Sequence, residues 1–161
     1  MTKEVMISIR GLQFMEDESE DDIETVQQGE YYLRGDSRYL IFEEYMEGFH
    51  EPVKNVLRFK DKELSLTKRG LLNVQMNFEE GKKNLTRYQT PYGAIMIGLD
   101  TSRVECFEKE HELKLEVDYT LEANYQYVAD CHIVIEAREK GGERFDFFDE
   151  NLGESENYSG S

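Results

Sequence analysis

Strict alternation of apolar and polar side chains over residues 113–122 constrains the fold of this chain more than any other feature. The apolar residues at every second position are Leu113, Leu115, Val117, Tyr119 and Leu121. Successive side chains of a β-strand point to opposite faces, so the segment predicts a strand with one buried face. Residues 73–79 repeat the pattern, whereas the spacing of an amphipathic helix is hard to find.

Shorter alternating segments, separated by turn-forming residues, extend this pattern along most of the chain. Turns are predicted at residues 34–36, 61–62, 79–82, 90–93 and 124–125. About ten short strands in sequence predict an all-β fold, a single antiparallel meander, and closure into a barrel of about eight to ten strands removes both exposed edges. The barrel domain is predicted to span residues 1–138.

Residues 139–161 form a segment of different composition. It is rich in Gly, Ser and Asn and holds seven acids against two bases, with an aromatic run at Phe145, Phe147 and Phe148. Such a composition predicts a flexible acidic tail. The alternative is that the acidic and aromatic residues dock on a partner or fold back on the barrel.

The net charge of −16 narrows the classes of partner. A surface of this charge repels phosphate, so neither nucleic acid nor an anionic membrane is expected as a partner. Basic proteins are the partners that it favours, through the tail or through the acidic run at residues 16–22.

A cytoplasmic location is expected from what the chain lacks. The first ten residues lack the apolar core of a secretory signal, and no stretch approaches the roughly eighteen apolar residues of a membrane span. Cys106 and Cys131 lie far apart in sequence and are expected to be reduced thiols.

Three segments resemble a known family. EVMISIRGLQ near the start, FEEGKKNLTRYQTPYGAIMIG in the centre and YTLEANYQYVADCHIVIEARE near the end are similar to the YwiB-like family of small bacterial proteins of unknown function. The resemblance covers about residues 1–138, and its most specific part surrounds the turn at residues 90–93. It implies a calycin-like barrel, the architecture of lipocalins and fatty-acid-binding proteins, and it brings no catalytic residues.

Motifs of catalysis and metal binding are missing from the sequence. It has no phosphate-binding glycine loop, no Gly-x-Ser-x-Gly elbow and no His-Glu-x-x-His helix. Its three histidines are scattered, and the acidic run at residues 16–22 lacks the glycine of an EF-hand loop. We therefore expect a non-enzymatic protein with no cofactor and no metal site.

One strand offers a candidate ligand site. Alternation places Leu85, Arg87 and Gln89 on one face of the segment that follows Gly81. If Leu85 packs inward, Arg87 also points inward, where a guanidinium would bind the carboxylate of a small apolar or amphipathic acid. The residues predicted to support it, on an earlier strand, are Tyr39, Glu43 and Tyr45.

Two questions stay open at the level of sequence. The opposite assignment places Tyr88 inside and Arg87 in water, which is the usual behaviour of an arginine. Ligand binding in the barrel also competes with a second function, in which the barrel is a scaffold that presents acidic segments to a basic partner. An enzyme is the third and least favoured class, because no nucleophile, base or metal set can be named.

Overall fold

The computed structural model describes residues 2–11, 24–45, 48, 50–70, 73–90 and 92–140. These residues form ten β-strands: β1 (Thr2–Arg10), β2 (Glu24–Arg34), β3 (Ser37–Tyr45), β4 (Pro52–Lys60), β5 (Glu63–Arg69), β6 (Val74–Glu79), β7 (Lys82–Thr90), β8 (Gly93–Lys109), β9 (Glu112–Ala123) and β10 (Gln126–Glu139). The predicted all-β fold is confirmed. The described residues include no helix long and apolar enough to span a membrane.

The ten strands form one antiparallel sheet that curls into a nearly closed barrel. Its order is β6-β5-β4-β3-β2-β1-β10-β9-β8-β7, so every strand pairs with its neighbours in sequence except β6 with β7, and β1 pairs with β10. The meander predicted from the turns is therefore confirmed. Between β6 and β7 an isolated bridge joins Asn73 to Gln89, and Asn84 donates a hydrogen bond to the Asn77 carbonyl at 3.2 Å.

The inner face of the barrel is packed with apolar side chains. All five apolar residues of the 113–122 pattern are buried on β9, as predicted. Residues of β1, β6, β8, β9 and β10 contribute side chains with at most 1% exposure, among them Ile7, Met76, Ile97, Leu99, Val117 and Ile133. At these positions neither solvent nor a water-sized void touches the side chain, so side chains fill the middle of the barrel.

Polar residues lie near the two ends of the barrel. The Arg38 end carries the turns at residues 35–36, 61–62, 80–81 and 110–111, and the Lys68 end carries the turn at residues 124–125. Backbone contacts tie the turns of the Arg38 end together, since Glu80 N donates to Lys62 O at 3.1 Å and Gly81 N to Thr101 O at 2.8 Å. The tail predicted for residues 139–161 lies outside the described residues apart from Glu139 and Lys140.

An arginine on the outer face of β8 joins that strand to β9. Arg103 Nε donates to Asp118 at 2.8 Å, and its Nη atoms donate to Glu105 and Glu116. Burial alone would raise the pKa values of Glu116 and Asp118, but hydrogen bonds from Arg103, together with Lys114 or His132, outweigh it and lower both pKa values. The folded protein therefore favours the charged carboxylates.

This network predicts a pH dependence of stability. Carboxylates with lowered pKa values stabilise the fold above their ordinary values of 4.5 and 3.8, and the stabilisation is lost as the pH falls through the lower folded values. Replacement of Arg103 by Met removes this contribution. As the pH decreases below about 4.5, the thermal midpoint of the Arg103→Met variant should therefore fall less steeply than that of the wild type. Arg69→Met, which replaces an exposed arginine on β5, is the matched control. Parallel pH profiles for the wild type and Arg103→Met would contradict the assignment.

Candidate functional site

Arg87 does not point into the barrel. Its side chain and that of Gln89 are exposed, and Leu85 is exposed as well, whereas Tyr88 is buried in the core. The predicted inward orientation of Arg87 is therefore wrong, and the opposite alternation is the one found in β7. The physical reason is that the large Tyr88 ring adds to the core, while the guanidinium keeps its hydration.

The supporting residues predicted on β3 also point away from the interior of the barrel. Tyr39, Glu43 and Tyr45 project from the outer face, where Tyr39 stacks on Tyr32 with 4.8 Å between ring centroids. β3 and β7 are separated by β4, β5 and β6, so the structure does not bring these residues together with Arg87.

The arginine that does face inward is Arg38, which shares its side of β3 with Leu40 and Phe42. At the barrel mouth its guanidinium makes a two-pronged contact with Glu108 of β8: Nε donates to Oε2 at 2.9 Å and Nη2 to Oε1 at 2.8 Å. This pairing is the preferred geometry of an arginine with a carboxylate. Almost half of the Glu108 side chain is exposed, so solvent borders the pair on that side.

Two cavities flank the Arg38–Glu108 pair. The larger is an open cleft of about 550 Å³, whose lining includes Leu33, Phe59, Lys62 and Cys106. The smaller, of about 170 Å³, is lined by Lys3, Tyr31, His111 and Glu139 among others. Glu108 lines both cavities, so a movement of its side chain would affect both.

Burial keeps two groups of this mouth neutral. It raises the pKa of the Cys106 thiol to about 11, and it raises the pKa of Tyr31 above its usual range. A thiol in this state is protonated at neutral pH and is a poor nucleophile. The fixed positive charges in the larger cleft are those of Arg38 and Lys62, and the Lys62 amine donates to Val104 O at 3.2 Å.

Charged residues also clamp the rim of the smaller cavity. Glu139, at the end of β10, contacts Lys3 of β1 at 2.6 Å and the Nδ1 atom of His111 at 3.1 Å. Hydrogen bonds from Lys3 and His111 lower the pKa of Glu139. These contacts of Glu139 hold the adjacent ends of β1 and β10 against the β8–β9 turn. They give this side of the mouth a defined shape.

A second inward-facing polar cluster lies at the Lys68 end. The amine of Lys68, which is almost fully buried, donates to Glu44 Oε1 at 2.7 Å, and Asn55 Nδ2 donates to the same oxygen at 3.0 Å. The three residues come from neighbouring strands β3, β4 and β5. Lys68 and Glu44 form an ion pair inside this end of the barrel, and Asn55 contacts the same carboxylate oxygen.

The histidines are distributed over separate surfaces. His132 contacts Asp118 at 2.6 Å on the outer face, His111 belongs to the clamp at the Arg38 end, and His50 is exposed. In the part of the chain that the structure describes, no three His, Cys, Asp or Glu residues come together in a way that could hold a metal ion.

Sequence reasoning missed Arg38 because its surroundings do not alternate. The run Arg38-Tyr39-Leu40-Ile41-Phe42 is apolar after the arginine, so its parity is ambiguous. The usable signal was position, since an arginine two residues after the Gly35-Asp36 turn must lie at a mouth of the barrel. Glu108 carried no signal, because it lies among the charged residues near the β8–β9 turn.

Comparisons with known proteins agree with the fold. The family model described as a domain of unknown function, DUF1934, matches residues 7–135. A solved structure described as "Crystal structure of ywiB protein from Bacillus subtilis" is similar, with a TM-score of 0.71 and 16% sequence identity over 88% of this chain and 94% of that chain. At this identity the likeness concerns the fold alone. No curated protein matches the sequence.

Proposed function

The chain belongs to the DUF1934 family, which is described only as a domain of unknown function, and from its own geometry we propose that it is a non-enzymatic, cytoplasmic binding protein. Its ligand is a small amphipathic acid, held at the Arg38 end of the barrel. The observation that carries the proposal is an inward-facing arginine beside an open cleft, neutralised by a carboxylate that is half exposed to solvent. The free thiols of Cys106 and Cys131 support a reducing location.

Recognition of the acid is an exchange of carboxylates. In the free protein Glu108 occupies the guanidinium of Arg38, and the charge of the arginine is satisfied. A ligand carboxylate would replace Glu108 with the same two-pronged geometry while Glu108 turns to solvent. The exchange conserves the number of hydrogen bonds to Arg38, so the net affinity comes mainly from the apolar part of the ligand.

The larger cleft has room for that apolar part. Its volume of about 550 Å³ lies within the usual range for small-molecule sites. Leu33 is about half exposed and offers apolar surface next to Arg38, whereas Phe59 is almost fully buried behind it. The rest of the lining is mainly polar and includes Asp36 and Asp61. Because the middle of the barrel is filled, the ligand is expected at the mouth and not in the lumen.

Binding of dodecanoate tests this proposal. Native mass spectrometry and calorimetric titration should detect one bound dodecanoate in the wild type, and Arg38→Ala should weaken it by at least about tenfold because a charged hydrogen-bonded contact is lost. Dodecyltrimethylammonium, with the same chain and the opposite charge, controls for binding of the chain alone. Arg87→Ala, which replaces an exposed arginine on the outer face, is the matched control variant and should bind as the wild type does.

Glu108→Gln separates recognition from folding. It removes the competing negative charge and leaves Arg38 in place, so it should bind dodecanoate several-fold more tightly than the wild type. Equal binding of dodecanoate and dodecyltrimethylammonium, or weaker binding in Glu108→Gln, would contradict the carboxylate exchange.

A scaffold for a basic partner is the alternative function. It depends on the acidic run at residues 16–22 and on residues 141–161, which lie outside the described residues. The described geometry favours the mouth because it offers a cleft and a specific polar contact. Salt-sensitive capture of a basic protein by the wild type, combined with no dodecanoate binding, would favour the scaffold.

A further inference from the structure

The outer face of β7, β8, β9 and β10 exposes apolar side chains. Leu85 is 51% exposed and Tyr127 is 65% exposed, and both project away from the core. The sheet register places them in one row across the four strands, which consists of Leu85, Gly98, Glu122 and Tyr127. A Cβ atom built at Gly98 would lie 3.3 Å from Leu85 and 3.1 Å from Glu122, so these two side chains meet over the glycine and the row is flat.

Charged residues of opposite sign lie at the two edges of this surface. β7 contributes Lys83 and Arg87, and β10 contributes Asp130, which shares a row with Lys83. Among the described residues, neither Arg87 nor Asp130 forms an ion pair, and Asp130 accepts a hydrogen bond from the Thr120 hydroxyl at 2.9 Å. We call the surface made by Lys83, Leu85, Arg87, Tyr125, Tyr127 and Asp130 the β7–β10 face.

The two edges of the β7–β10 face match each other under two-fold symmetry. A two-fold dimer uses the same surface of both copies, so that surface has to be complementary to itself. An axis parallel to the strands, between β8 and β9, places β7 of one copy opposite β10 of the other and keeps each row opposite the same row. Lys83 then faces Asp130 of the second copy in one row. Leu85 faces Tyr127 of the second copy in the next row.

A second copy fits this face better than a partner of uniform charge. An acidic partner would attract the β7 edge and repel Asp130, and a basic partner would do the converse, whereas a second copy brings each edge opposite the other. Arg87 would lie over the β9–β10 turn of the second copy, where Tyr125 is 70% exposed and its ring can receive a guanidinium. Arginine and tyrosine are also residue types that protein interfaces favour over the rest of the surface.

We propose that the chain forms a two-fold dimer through the β7–β10 face. Four strands about 4.8 Å apart and the stretch from Lys83 to Gln89 give a face of about 20 Å by 20 Å, or about 400 Å². This is about half of what one partner contributes to a standard interface, and the net charge of −16 on each copy opposes association. The dimer is therefore weak, with an expected dissociation constant between about 10 µM and 1 mM. Because the axis runs along the strands, both Arg38 ends open on the same side of the dimer.

Sedimentation equilibrium of the full chain tests the dimer. At about 0.15 M salt, where the Debye length is about 8 Å, the wild type should show a reversible monomer–dimer equilibrium within that range of concentration. Leu85→Lys puts a charge into the apolar contact and should raise the dissociation constant at least about tenfold. Val26→Lys, at a residue of β2 that is 54% exposed, is the matched control and should leave the constant unchanged. A wild type that remains monomeric, or a Leu85→Lys variant that dimerises as strongly as the wild type, would overturn the proposal.

Cross-linking tests which rows face each other. In a mixture of a Leu85→Cys chain and a Tyr127→Cys chain, a bismaleimide that spans about 8 Å should join the two introduced thiols, because facing sheets lie about 10 Å apart. Either variant alone should not form this product, since its two introduced thiols lie at opposite edges of the dimer, about 14 Å apart across the strands. The wild type, with thiols at Cys106 and Cys131, gives the background. Equal cross-linking in the mixture and in the separate variants would rule out the two-fold arrangement.

Discussion

Replacement of Gly11 by Ala is expected to destabilise the protein by at least about 3 kcal/mol, because two independent costs fall on one residue. Gly11 directly follows β1 and has a φ of +86°, a conformation that residues with a side chain disfavour. A Cβ atom built there would lie 2.0 Å from the carbonyl oxygen of His132. That oxygen belongs to the backbone of β10, so relief of the clash requires movement of the β1–β10 pairing, which joins the two halves of the sheet.

Gly35→Ala is the matched control for this expectation. Gly35 also has positive φ, +61°, but a Cβ there would meet no atom within 4 Å. Only the conformational cost applies, so the expected loss is about 1 kcal/mol. Urea unfolding of both variants measures the two free energies. Similar losses would show that the close approach to His132 contributes little.

Most of the fold could be predicted because both the alternation of a β-strand and the residues of a turn can be recognised within a few consecutive positions of the sequence. Residues 113–122 alternate strictly, and every apolar residue among them is buried. The turns at 35–36, 61–62 and 124–125 lie where turn-forming residues predicted them. What alternation did not reveal was the length of β8, which runs from Gly93 to Lys109 and keeps its pairing with β9 through an irregularity between Thr101 and Arg103. Such an irregularity shifts the parity of the strand, so a pattern read from Ile95 to Leu99 does not extend beyond it.

The candidate site could not be predicted to the same degree, because its partners are distant in sequence. Arg38 and Glu108 are 70 residues apart and meet only because β3 and β8 approach at one mouth of the barrel. Alternation within a strand can be read from neighbouring residues. Which of Arg87 and Tyr88 points into the barrel, however, depends on the core that the other strands build around β7. Sequence reasoning named both choices, and the size of the Tyr88 side chain decides between them.

Glu44→Ala is the second substitution with a large expected effect, at about 3 kcal/mol. It takes from the buried Lys68 amine a carboxylate that lies 2.7 Å away, and from Asn55 an acceptor at 3.0 Å. The cost arises from the ammonium group, since a buried charge that loses a hydrogen-bonded carboxylate retains its desolvation penalty.

Lys68→Met gives the contrasting result, because the two partners are not equally buried. The Glu44 side chain is 36% exposed and can be hydrated after its partner is removed, whereas that of Lys68 is 5% exposed. Methionine fills nearly the same volume without a charge, so the expected loss is below about 1 kcal/mol. The double variant Glu44→Ala/Lys68→Met should resemble Lys68→Met, and urea unfolding of the three variants would measure this. Equal losses in the two single variants would mean that attraction between the charges, and not desolvation of the amine, dominates this end of the barrel.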